Sequence, residues 1–353
     1  MPGAVLLVQT PQTRFIESVG WADVKRKIPM RPDHAFRTAS TTKMFLGIAA
    51  AQMHTEGLLN TDLPITEYLP PSITDHILNS DKITVRQLVR HTSGIYDYTR
   101  NLRFQLSAFV FDRRGNWTQS RMLKYAFDKP ADFPPGESFR YSNTNFVLLG
   151  MIVDRVTGHH HSVEIRNRII EPLGLTNTYY ESYETPRGER AHGYEWLMGI
   201  FTDTYDWTVE TGGDGGIVST AADLAVFVRA VTGTDGFLSS EVRALLKSQP
   251  NTSPTDKPWY PVLHYDFGVT CTRGAGKDVP VSEAPWFFGH GGATPGYFCF
   301  AGHEPEKDIT VVYFGSSKQF RLFDQSRIDR FESQLKEALF GLAVEQTAGV
   351  SAG

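Results

Sequence analysis

The sequence has few cysteines, no strong excess of either charge and no long apolar run. Its two cysteines, Cys271 and Cys299, are too few for a disulfide framework, and we expect buried thiols on strands rather than a bridge. A net charge of -4 argues against a nucleic-acid-binding protein, which usually carries a basic face. No segment contains the roughly 20 apolar residues that a membrane-spanning helix needs. We therefore expect a globular protein whose partner is a small molecule or a peptide, and the oligomeric state stays open.

The N-terminus lacks the basic region and the long apolar stretch of a signal peptide. Residues 2–9 instead predict a β-strand that begins almost at the first residue. We expect a cytoplasmic protein, or a periplasmic or secreted one if a segment upstream is missing from this chain.

Zinc-binding motifs are also absent, since the sequence has neither HExxH nor a paired Cys-x-x-Cys. The tract His159-His160-His161 follows the end of a predicted helix, where histidines favour the helix dipole and solvent. We therefore expect no metal and no other cofactor. Two further polar residues are interpreted structurally: His91 as a histidine near the floor of a cleft, and Asp214 as a turn residue between glycines.

Strand patterns occur at both ends of the chain, and helical patterns lie between them. The strands are predicted in segments 3–9, 14–23, 265–272, 285–292, 296–303 and 309–317. The helices are predicted in segments 40–57, 83–92, 146–158, 221–233 and 325–343.

This order predicts an α+β fold with one antiparallel sheet built from both termini, flanking helices and a large, mostly helical insertion. Residues 1–60 and 263–345 would form the lobe that contains the sheet, and residues 61–262 the helical lobe. Residues 346–353 would be a flexible tail. A functional site is expected in the cleft between the two lobes.

Ser-x-x-Lys occurs twice, and only the first copy begins an apolar helix. Ser40 and Lys43 are spaced i and i+3, so they share one face of that helix. Burial among apolar residues disfavours a charged ammonium, so Lys43 could act as a base toward a Ser40 nucleophile. The structural alternative is an N-cap serine followed by a lysine that reaches solvent. The second copy, Ser333 and Lys336, lies in a polar helix and is interpreted as a chance match.

Tyr141-Ser142-Asn143 is the only Tyr-x-Asn in the sequence, and it comes immediately before a predicted helix. A tyrosine hydroxyl near a lysine ammonium loses its proton below its usual pKa of about 10, so Tyr141 could shuttle protons. Asn143 could hold Lys43 in position and bind a substrate carbonyl. The alternative is a loop tyrosine packed through its ring and an asparagine that caps the helix.

His290-Gly291-Gly292 is the only His-x-Gly, and it lies where one predicted strand ends and another begins. Paired glycines let a substrate backbone approach the edge of a strand closely. The backbone amides of Ser40 and Ala293 could then form an oxyanion hole. The alternative is a glycine-rich turn with an incidental histidine.

Taken together, the three motifs resemble the active site of the penicillin-recognising serine hydrolases. The narrower resemblance is to the group of class C β-lactamases, serine DD-carboxypeptidases, D-aminopeptidases, D-amino-acid amidases and related esterases. It covers nearly the whole chain. The segments around the motifs that carry it are residues 83–95, 134–158, 169–180 and 212–228.

The resemblance implies that Ser40 is acylated and that Lys43 and Tyr141 share the general-base and general-acid work, in an order that it leaves open. It implies that Asn143 orients the substrate amide and that the Ala293 amide pairs with that of Ser40. His290 takes the place of the lysine in the Lys-Thr-Gly motif of many β-lactamases.

One departure from the family pattern bears on the substrate. Gly291 stands where many members carry a Ser or Thr hydroxyl that helps bind a substrate carboxylate. Its absence fits an aminopeptidase, amidase or esterase better than a strict β-lactamase or carboxypeptidase. The leading hypothesis is an acyl-enzyme hydrolase of a D-amino-acid-containing peptide or amide. The alternatives are an esterase, a class C-like β-lactamase and, from another class, a penicillin-binding sensor without turnover.

Overall fold

The fold is organised around one antiparallel sheet to which both ends of the chain contribute. The computed structural model describes residues 2–197, 199–208, 212–233, 236–247, 253–254, 262–273 and 286–318. The strands in these residues are β1 (Gly3–Gln9), β2 (Arg14–Asp23), β3 (Ile28–Pro29), β4 (Phe36–Arg37), β5 (Tyr179–Tyr180), β6 (Tyr194–Leu197), β7 (Ile200–Asp203), β8 (Ile217–Ser219), β9 (Ser253–Pro254), β10 (Val262–Asp266), β11 (Val269–Arg273), β12 (Trp286–Thr294), β13 (Tyr297–Glu304), β14 (Ile309–Gly315) and β15 (Ser317–Lys318).

Strand β1 is an interior strand of the main sheet, between β2 and β14. The order of that sheet is β3-β2-β1-β14-β13-β12-β11-β10-β9. Val5 of β1 is opposite Ser18 of β2 on one side and Phe314 of β14 on the other, and both pairings are antiparallel. Ser316 donates a backbone hydrogen bond of 2.9 Å to the carbonyl of Gly3. The predicted α+β fold, with a sheet built from both termini, is confirmed.

Helices fill the chain between the terminal strands. In the described residues the α-helices are α1 (Thr42–Thr55), α2 (Pro71–Thr74), α3 (Val85–Val89), α4 (Leu102–Leu106), α5 (Gln119–Leu123), α6 (Asn143–Thr157), α7 (His161–Ile165), α8 (Ala221–Thr232) and α9 (Ser240–Lys247). Short 3-10 turns span Ala39–Thr41, Ile65–Glu67 and Tyr98–Arg100, and π-helical turns span Ser107–Phe111 and Arg166–Ile170.

Helix α1 is buried on every side because its sequence is almost entirely apolar or small. Every residue from Met44 to Ala51 is buried. Gly57, at φ +75°, follows the helix end and takes a backbone conformation that glycine adopts readily. Gly47 lets the turn between β10 and β11 approach closely, since a Cβ there would lie 1.9 Å from the carbonyl oxygen of Phe267. The helix that follows Ser40 is therefore fixed in the centre of the molecule.

Helix α8 connects the sheet to α1. It packs against β1, β13 and β14 on one side. On the other side Phe227 stacks on Phe45 of α1, with ring centroids 3.8 Å apart. The N-cap residue Thr220 accepts a hydrogen bond of 3.3 Å from the backbone N–H of Asp223. Helix α8 thus packs on both the sheet and α1, and α1 also contacts the sheet directly at the β10–β11 turn.

The predicted helical lobe contains short strands that the sequence pattern does not indicate. Strand β8 pairs with β4 and β5 in one small sheet, and β6 pairs with β7 and β15 in another. These strands are two to four residues long. A period of two cannot be recognised over so few residues, so helical periodicity dominates the sequence pattern.

Several expectations lie outside the described residues. These are the C-terminal helix over 325–343, the tail over 346–353 and the second motif at Ser333 and Lys336. The lobe boundaries near residues 60 and 263 stay a prediction. Cys271 lies on β11 and Cys299 on β13, both as thiols. In the part of the chain that the structure describes, no helix is both long and apolar enough to cross a membrane.

Candidate active site

Ser40 lies in the tight turn between strand β4 and helix α1. Thr38 anchors this turn to β8, because its backbone N–H donates to the carbonyl of Ile217 at 2.9 Å. Ala39 then adopts a left-handed conformation with φ +48°, which is uncommon for a residue with a side chain. The turn places Ser40 two residues before the start of α1, with its side chain partly exposed.

Lys43 is fully buried and makes three hydrogen bonds around its ammonium group. Its Nζ lies 3.0 Å from Ser40 Oγ, 2.8 Å from Asn143 Oδ1 and 2.9 Å from the carbonyl oxygen of Asp214. The lysine therefore does not reach solvent, and the alternative of an exposed ammonium is wrong. The sequence placed this side chain among apolar residues, and the structure adds polar partners on three sides.

The three partners of Lys43 are chemically unequal. The amide oxygen of Asn143 and the carbonyl of Asp214 only accept hydrogen bonds, whereas the Ser40 hydroxyl both donates and accepts. A neutral amine has two N–H groups and one lone pair. When the two oxygens take the two N–H groups, the lone pair is left for the hydroxyl hydrogen of Ser40. This arrangement can take a proton from Ser40 without rearrangement.

Tyr141 lies over the same pair. Lys43 Nζ is 5.1 Å from the centre of its ring, and in the described residues its hydroxyl has no hydrogen-bond partner. Burial raises the pKa of Tyr141 above its usual value, and the nearby Lys43 and Ser40 lower it by less. The sequence-based expectation of a lowered pKa is therefore wrong, because it considered the lysine and not the desolvation.

Asn143 is the first residue of α6, and its amide group lies between Lys43 and a buried acid. Its Nδ2 is 3.1 Å from an Asp97 carboxylate oxygen and 3.3 Å from Thr99 Oγ1. The amide nitrogen is thus committed to protein groups, while Oδ1 faces Lys43. The part of the sequence prediction in which Asn143 holds Lys43 agrees with this geometry.

Strand β12 carries the third motif past the Ser40 turn. Thr41 Oγ1 lies 3.4 Å from the carbonyl oxygen of His290. A Cβ on Gly292 would lie 2.0 Å from the carbonyl oxygen of Thr38 and 3.0 Å from the backbone nitrogen of Ser40. A side chain cannot fit there, so glycine is what allows the strand to approach the serine.

The rest of the motif differs in exposure. His290 is 5% exposed, and its Nε2 lies 3.2 Å from the Tyr265 hydroxyl. Gly291 is exposed and Ala293 is partly exposed. Strand β11 pairs with β12 only as far as Gly289, so beyond it β12 is paired with β13 alone in the described residues. Among the described residues, nothing is paired with that edge of β12 beyond Gly289, so a substrate backbone could pair there.

His91 is buried behind Tyr141, as the sequence suggested. Its ring centroid is 4.3 Å from that of Tyr141. Its Nδ1 lies 3.2 Å from the backbone nitrogen of Ser142 and 3.0 Å from Asn145 Nδ2. Burial lowers the pKa of His91 well below its usual value, and the charges of Lys43 and His290 act in the same direction. A neutral imidazole can accept these bonds and so fix the tyrosine loop.

Two buried carboxylates were missed or misinterpreted in the sequence. Asp214 is not simply a turn residue, because it is 4% exposed and its carbonyl bonds Lys43. Asp97 is 6% exposed and bonds Asn143. Burial raises the pKa of both carboxyl groups, and the Lys43 charge opposes this. In the sequence, Asp97 is a single acid in a largely apolar stretch, and Asp214 is an acid between glycines. Neither pattern identifies the residue to which the acid is hydrogen-bonded.

Within the histidine tract, His159 is exposed as the sequence analysis expected, whereas His160 and His161 are not. His161 is fully buried, with Nδ1 2.9 Å from Asp154 and Nε2 2.8 Å from the Tyr180 hydroxyl. His160 Nδ1 accepts from the backbone N–H of Ser162 and so caps α7. The possible ligand atoms of Asp154, His160 and His161 lie within 4.8 Å of one another. Hydrogen bonds already occupy three of the four ring nitrogens, which accounts for the cluster without an ion.

Comparison with known proteins identifies the class. Residues 1–332 match the sequence model of the family described as Beta-lactamase. The chain belongs to the beta-lactamase family. The resemblance found in the three motifs is thereby confirmed at the level of the family.

The similarity to a single curated protein covers less of the chain than the match to the family model does. The chain is 29% identical to Protein flp of Staphylococcus aureus over 196 residues, which is 55% of this chain and 38% of that protein. It therefore spans well under half the length of that curated relative.

Two solved structures resemble the whole fold. A D-stereospecific amidohydrolase from a Streptomyces species has a TM-score of 0.77 and 28% identity, covering 90% of this chain and 89% of the other. The D-amino acid amidase from Ochrobactrum anthropi has a TM-score of 0.75 and 25% identity, covering 95% and 94%. In both cases the similarity extends over nearly the full length of each chain.

Proposed function

We propose that the chain hydrolyses an amide or short peptide of a D-amino acid through an acyl-enzyme formed on Ser40. The observation that carries this proposal is the hydrogen-bond pattern of Lys43, whose Nζ lies 3.0 Å from Ser40 Oγ and is otherwise bonded to two pure acceptors. Similarity in fold to a D-stereospecific amidohydrolase and to a D-amino acid amidase favours an amide of D configuration.

The first step is attack by Ser40 Oγ on the substrate carbonyl carbon while its proton passes to Lys43 Nζ. The backbone N–H groups of Ser40 and Ala293 receive the negative charge that develops on the carbonyl oxygen. Loss of one donor from such an oxyanion hole typically costs about 3 kcal/mol of transition-state stabilisation. The close approach of Gly292 to the Ser40 nitrogen supports this pairing of amides.

The second step is departure of the amine, which needs a proton. Because burial raises its pKa, Tyr141 keeps its phenolic hydrogen near neutral pH and serves as a donor rather than as a base. Its hydroxyl has no partner among the described residues, which leaves it available to the leaving nitrogen. The proton that Lys43 took from Ser40 then replaces the one that Tyr141 gives up. Water reverses these transfers to release the acid.

Gly291 bears on which end of the substrate is recognised. In the described residues, the only atom within 4 Å of its Cβ position is the carbonyl oxygen of Cys299, at 3.7 Å. No hydroxyl, arginine or lysine of the described residues lies within 4 Å of that position, where a family hydroxyl would help hold a substrate carboxylate. This supports a substrate whose carboxyl group is blocked as an amide over one with a free C-terminal carboxylate.

A substrate panel tests the proposal. The wild type, Ser40→Ala and Ser333→Ala would be assayed on the p-nitroanilides of D-alanine and L-alanine, on nitrocefin and on p-nitrophenyl acetate. We expect turnover of the D-anilide above the L-anilide, loss of turnover in Ser40→Ala, and unchanged turnover in Ser333→Ala, which alters the second Ser-x-x-Lys.

Other outcomes would overturn parts of the proposal. Full turnover by Ser40→Ala would exclude Ser40 as the nucleophile. A strong preference for nitrocefin or for the ester would replace the amide with a β-lactamase or esterase function. Stoichiometric labelling by a fluorescent penicillin without turnover of any substrate would indicate a penicillin-binding sensor.

A further inference from the structure

The dipeptide Asp97-Tyr98 lies buried behind the catalytic pair, outside all three motifs. Asp97 is 6% exposed and Tyr98 is fully buried. Buried polar groups are costly unless they are hydrogen-bonded, so the bonds that these two residues make indicate their purpose. Asp97 bonds Asn143, and Tyr98 bonds Asp214. Asn143 and Asp214 in turn supply the two oxygens that accept hydrogen bonds from Lys43.

Asp97 determines which way the amide of Asn143 faces. Asn143 Nδ2 lies 3.1 Å and 3.4 Å from the two carboxylate oxygens of Asp97. Both carboxylate oxygens lie on the Nδ2 side of the amide, so the amide nitrogen faces Asp97 and the amide oxygen faces Lys43. The opposite orientation would place an NH2 group against the lysine. Asp97 thereby keeps Asn143 an acceptor for Lys43.

Tyr98 restrains the second acceptor. Its hydroxyl donates to Asp214 Oδ2 at 2.7 Å, while the carbonyl of Asp214 accepts from Lys43 at 2.9 Å. Asp214 is flanked by two glycines on each side. Glycine gives the backbone wide conformational freedom. The bond from Tyr98 therefore restrains the Asp214 carbonyl, beside the hydrogen bonds that hold the carbonyls of Gly212 and Gly216.

The dipeptide is itself attached to the helix that carries Asn143. The backbone N–H of Tyr98 donates to Thr144 Oγ1 at 3.0 Å, and that hydroxyl donates to the carbonyl of Tyr96 at 2.8 Å. Thr144 follows Asn143 directly on α6. Asn143 and the groups that orient it therefore move as one unit.

We propose that Asp97 and Tyr98 are positioning residues for Lys43, each holding one of its two acceptors so that the remaining position faces Ser40. The inference rests on the proposed function in that Lys43 is taken as the base for Ser40. It adds that the geometry of the base depends on two residues that touch neither the substrate nor the lysine.

The test compares kcat and KM in Asp97→Asn and Tyr98→Phe, using the anilide or ester that the wild type turns over. A displaced catalytic group typically costs up to about 100-fold in rate, so we expect kcat to fall about 10- to 100-fold in each variant. KM should stay within about threefold, because neither residue contacts substrate. Tyr96→Phe is the matched control. The Tyr96 ring packs on Arg100, with the guanidinium carbon 4.5 Å from the ring centre, so we expect wild-type kcat.

Double variants separate positioning from a general loss of stability. If Asp97 acts through Asn143, then Asp97→Asn should cause no further loss of kcat in an Asn143→Ala background. Likewise, Tyr98→Phe should cause no further loss in an Asp214→Ala background. The free energy of unfolding of every variant would be measured by urea denaturation beside the kinetics.

Three results would overturn the inference. One is an undiminished effect of Asp97→Asn or Tyr98→Phe in the corresponding double variant. A second is a rise in KM at constant kcat. The third is a wild-type kcat in variants shown to be folded. Failure of the wild type to become acylated at Ser40 is a different result, because it would refute the proposed function itself.

Discussion

Gly291 and Gly292 are neighbours on β12, but their surroundings differ sharply. A Cβ on Gly292 would lie 2.0 Å from the Thr38 carbonyl, whereas a Cβ on Gly291 would meet only the Cys299 carbonyl at 3.7 Å. We expect Gly292→Ala to push the strand away from Ser40 and lower kcat/KM at least 100-fold, because a misplacement of about 1 Å can cost about that much in rate. Gly291→Ala should stay within about threefold of wild type, because nothing need move.

The measurement is kcat/KM on a common substrate, with circular dichroism to show that both variants fold. Equal losses in the two variants would mean that β12 does not need to approach the serine turn. That result would also remove the support for an oxyanion hole that includes Ala293.

At this scale the sequence predicts the residues of the three motifs, because short spacing within a helix or a strand places Ser40 beside Lys43. It does not predict Asp97, Tyr98 or the role of Asp214. Their bonds join segments 46 to 171 residues apart, as in Asp97 to Asn143 and Lys43 to Asp214. The pKa of Tyr141 was mispredicted for a related reason, since burial is a property of the assembled site.

Among the elements, α1 contains Gly47, where an alanine would raise the helix propensity but would also crowd a neighbouring turn. Alanine is favoured over glycine in a helix by about 1 kcal/mol. However, a Cβ on Gly47 would lie 1.9 Å from the Phe267 carbonyl of the β10–β11 turn. We expect Gly47→Ala to lower the free energy of unfolding by about 1 to 3 kcal/mol, as overpacking does.

Urea denaturation measures this change. Gly57→Ala is the comparison, because that site has φ +75° and nothing within 4 Å. Its cost should come from the backbone conformation alone, about 1 kcal/mol. A Gly47→Ala variant more stable than wild type would show that the turn does not press on α1.

Helix α7 begins with a titratable cap. His160 Nδ1 accepts from the backbone N–H of Ser162, which requires a neutral ring. Burial, with His161 and His159 adding and Asp154 opposing, lowers the pKa of His160 from 6.5 to about 3. The unfolded chain then binds this proton at a higher pH than the fold does, so stability falls as pH drops from about 6.5 toward 3.

The change His160→Asn keeps a capping acceptor and removes this titration. We expect the Tm of the variant to fall less than that of the wild type between pH 7 and pH 5. Loss of the stack on Tyr183, at 3.5 Å, should lower the Tm of the variant at both pH values. An identical pH dependence in the two proteins would show that His160 does not titrate abnormally.

The sequence predicts elements unevenly. Helices α1, α6 and α8 are 12 to 15 residues long and rich in apolar residues, and each overlaps a predicted segment, although α6 begins three residues before the predicted one. The long strands of the main sheet are predicted for the same reason. Strands such as β5 and β8 escape prediction because tertiary pairing, not their own two or three residues, defines them.

For the whole molecule, the first strand is a core element and not a fraying end. Leu7 of β1 is fully buried, while its neighbour Val8 points to the other face and is partly exposed. Leu7→Ala should therefore cost about 2 to 5 kcal/mol of global stability although it lies close to the chain start. Val8→Ala should cost less than about 1.5 kcal/mol, since less apolar surface is lost.

Native-state hydrogen exchange distinguishes global from local loss. We expect Leu7→Ala to lower protection across β13 and β14 as well as β1. If protection is lost in β1 alone, the strand frays independently and the sheet does not depend on it.

The pairing of β1 with β14 also has a consequence for how the protein is made. A ribosome adds about 5 to 20 residues per second, so β14 emerges roughly 15 to 60 s after β1. Throughout that interval the hairpin of β1 and β2 has an apolar face and an open edge. Newly synthesised chains should consequently depend on a chaperone that shields this hairpin until β14 has emerged.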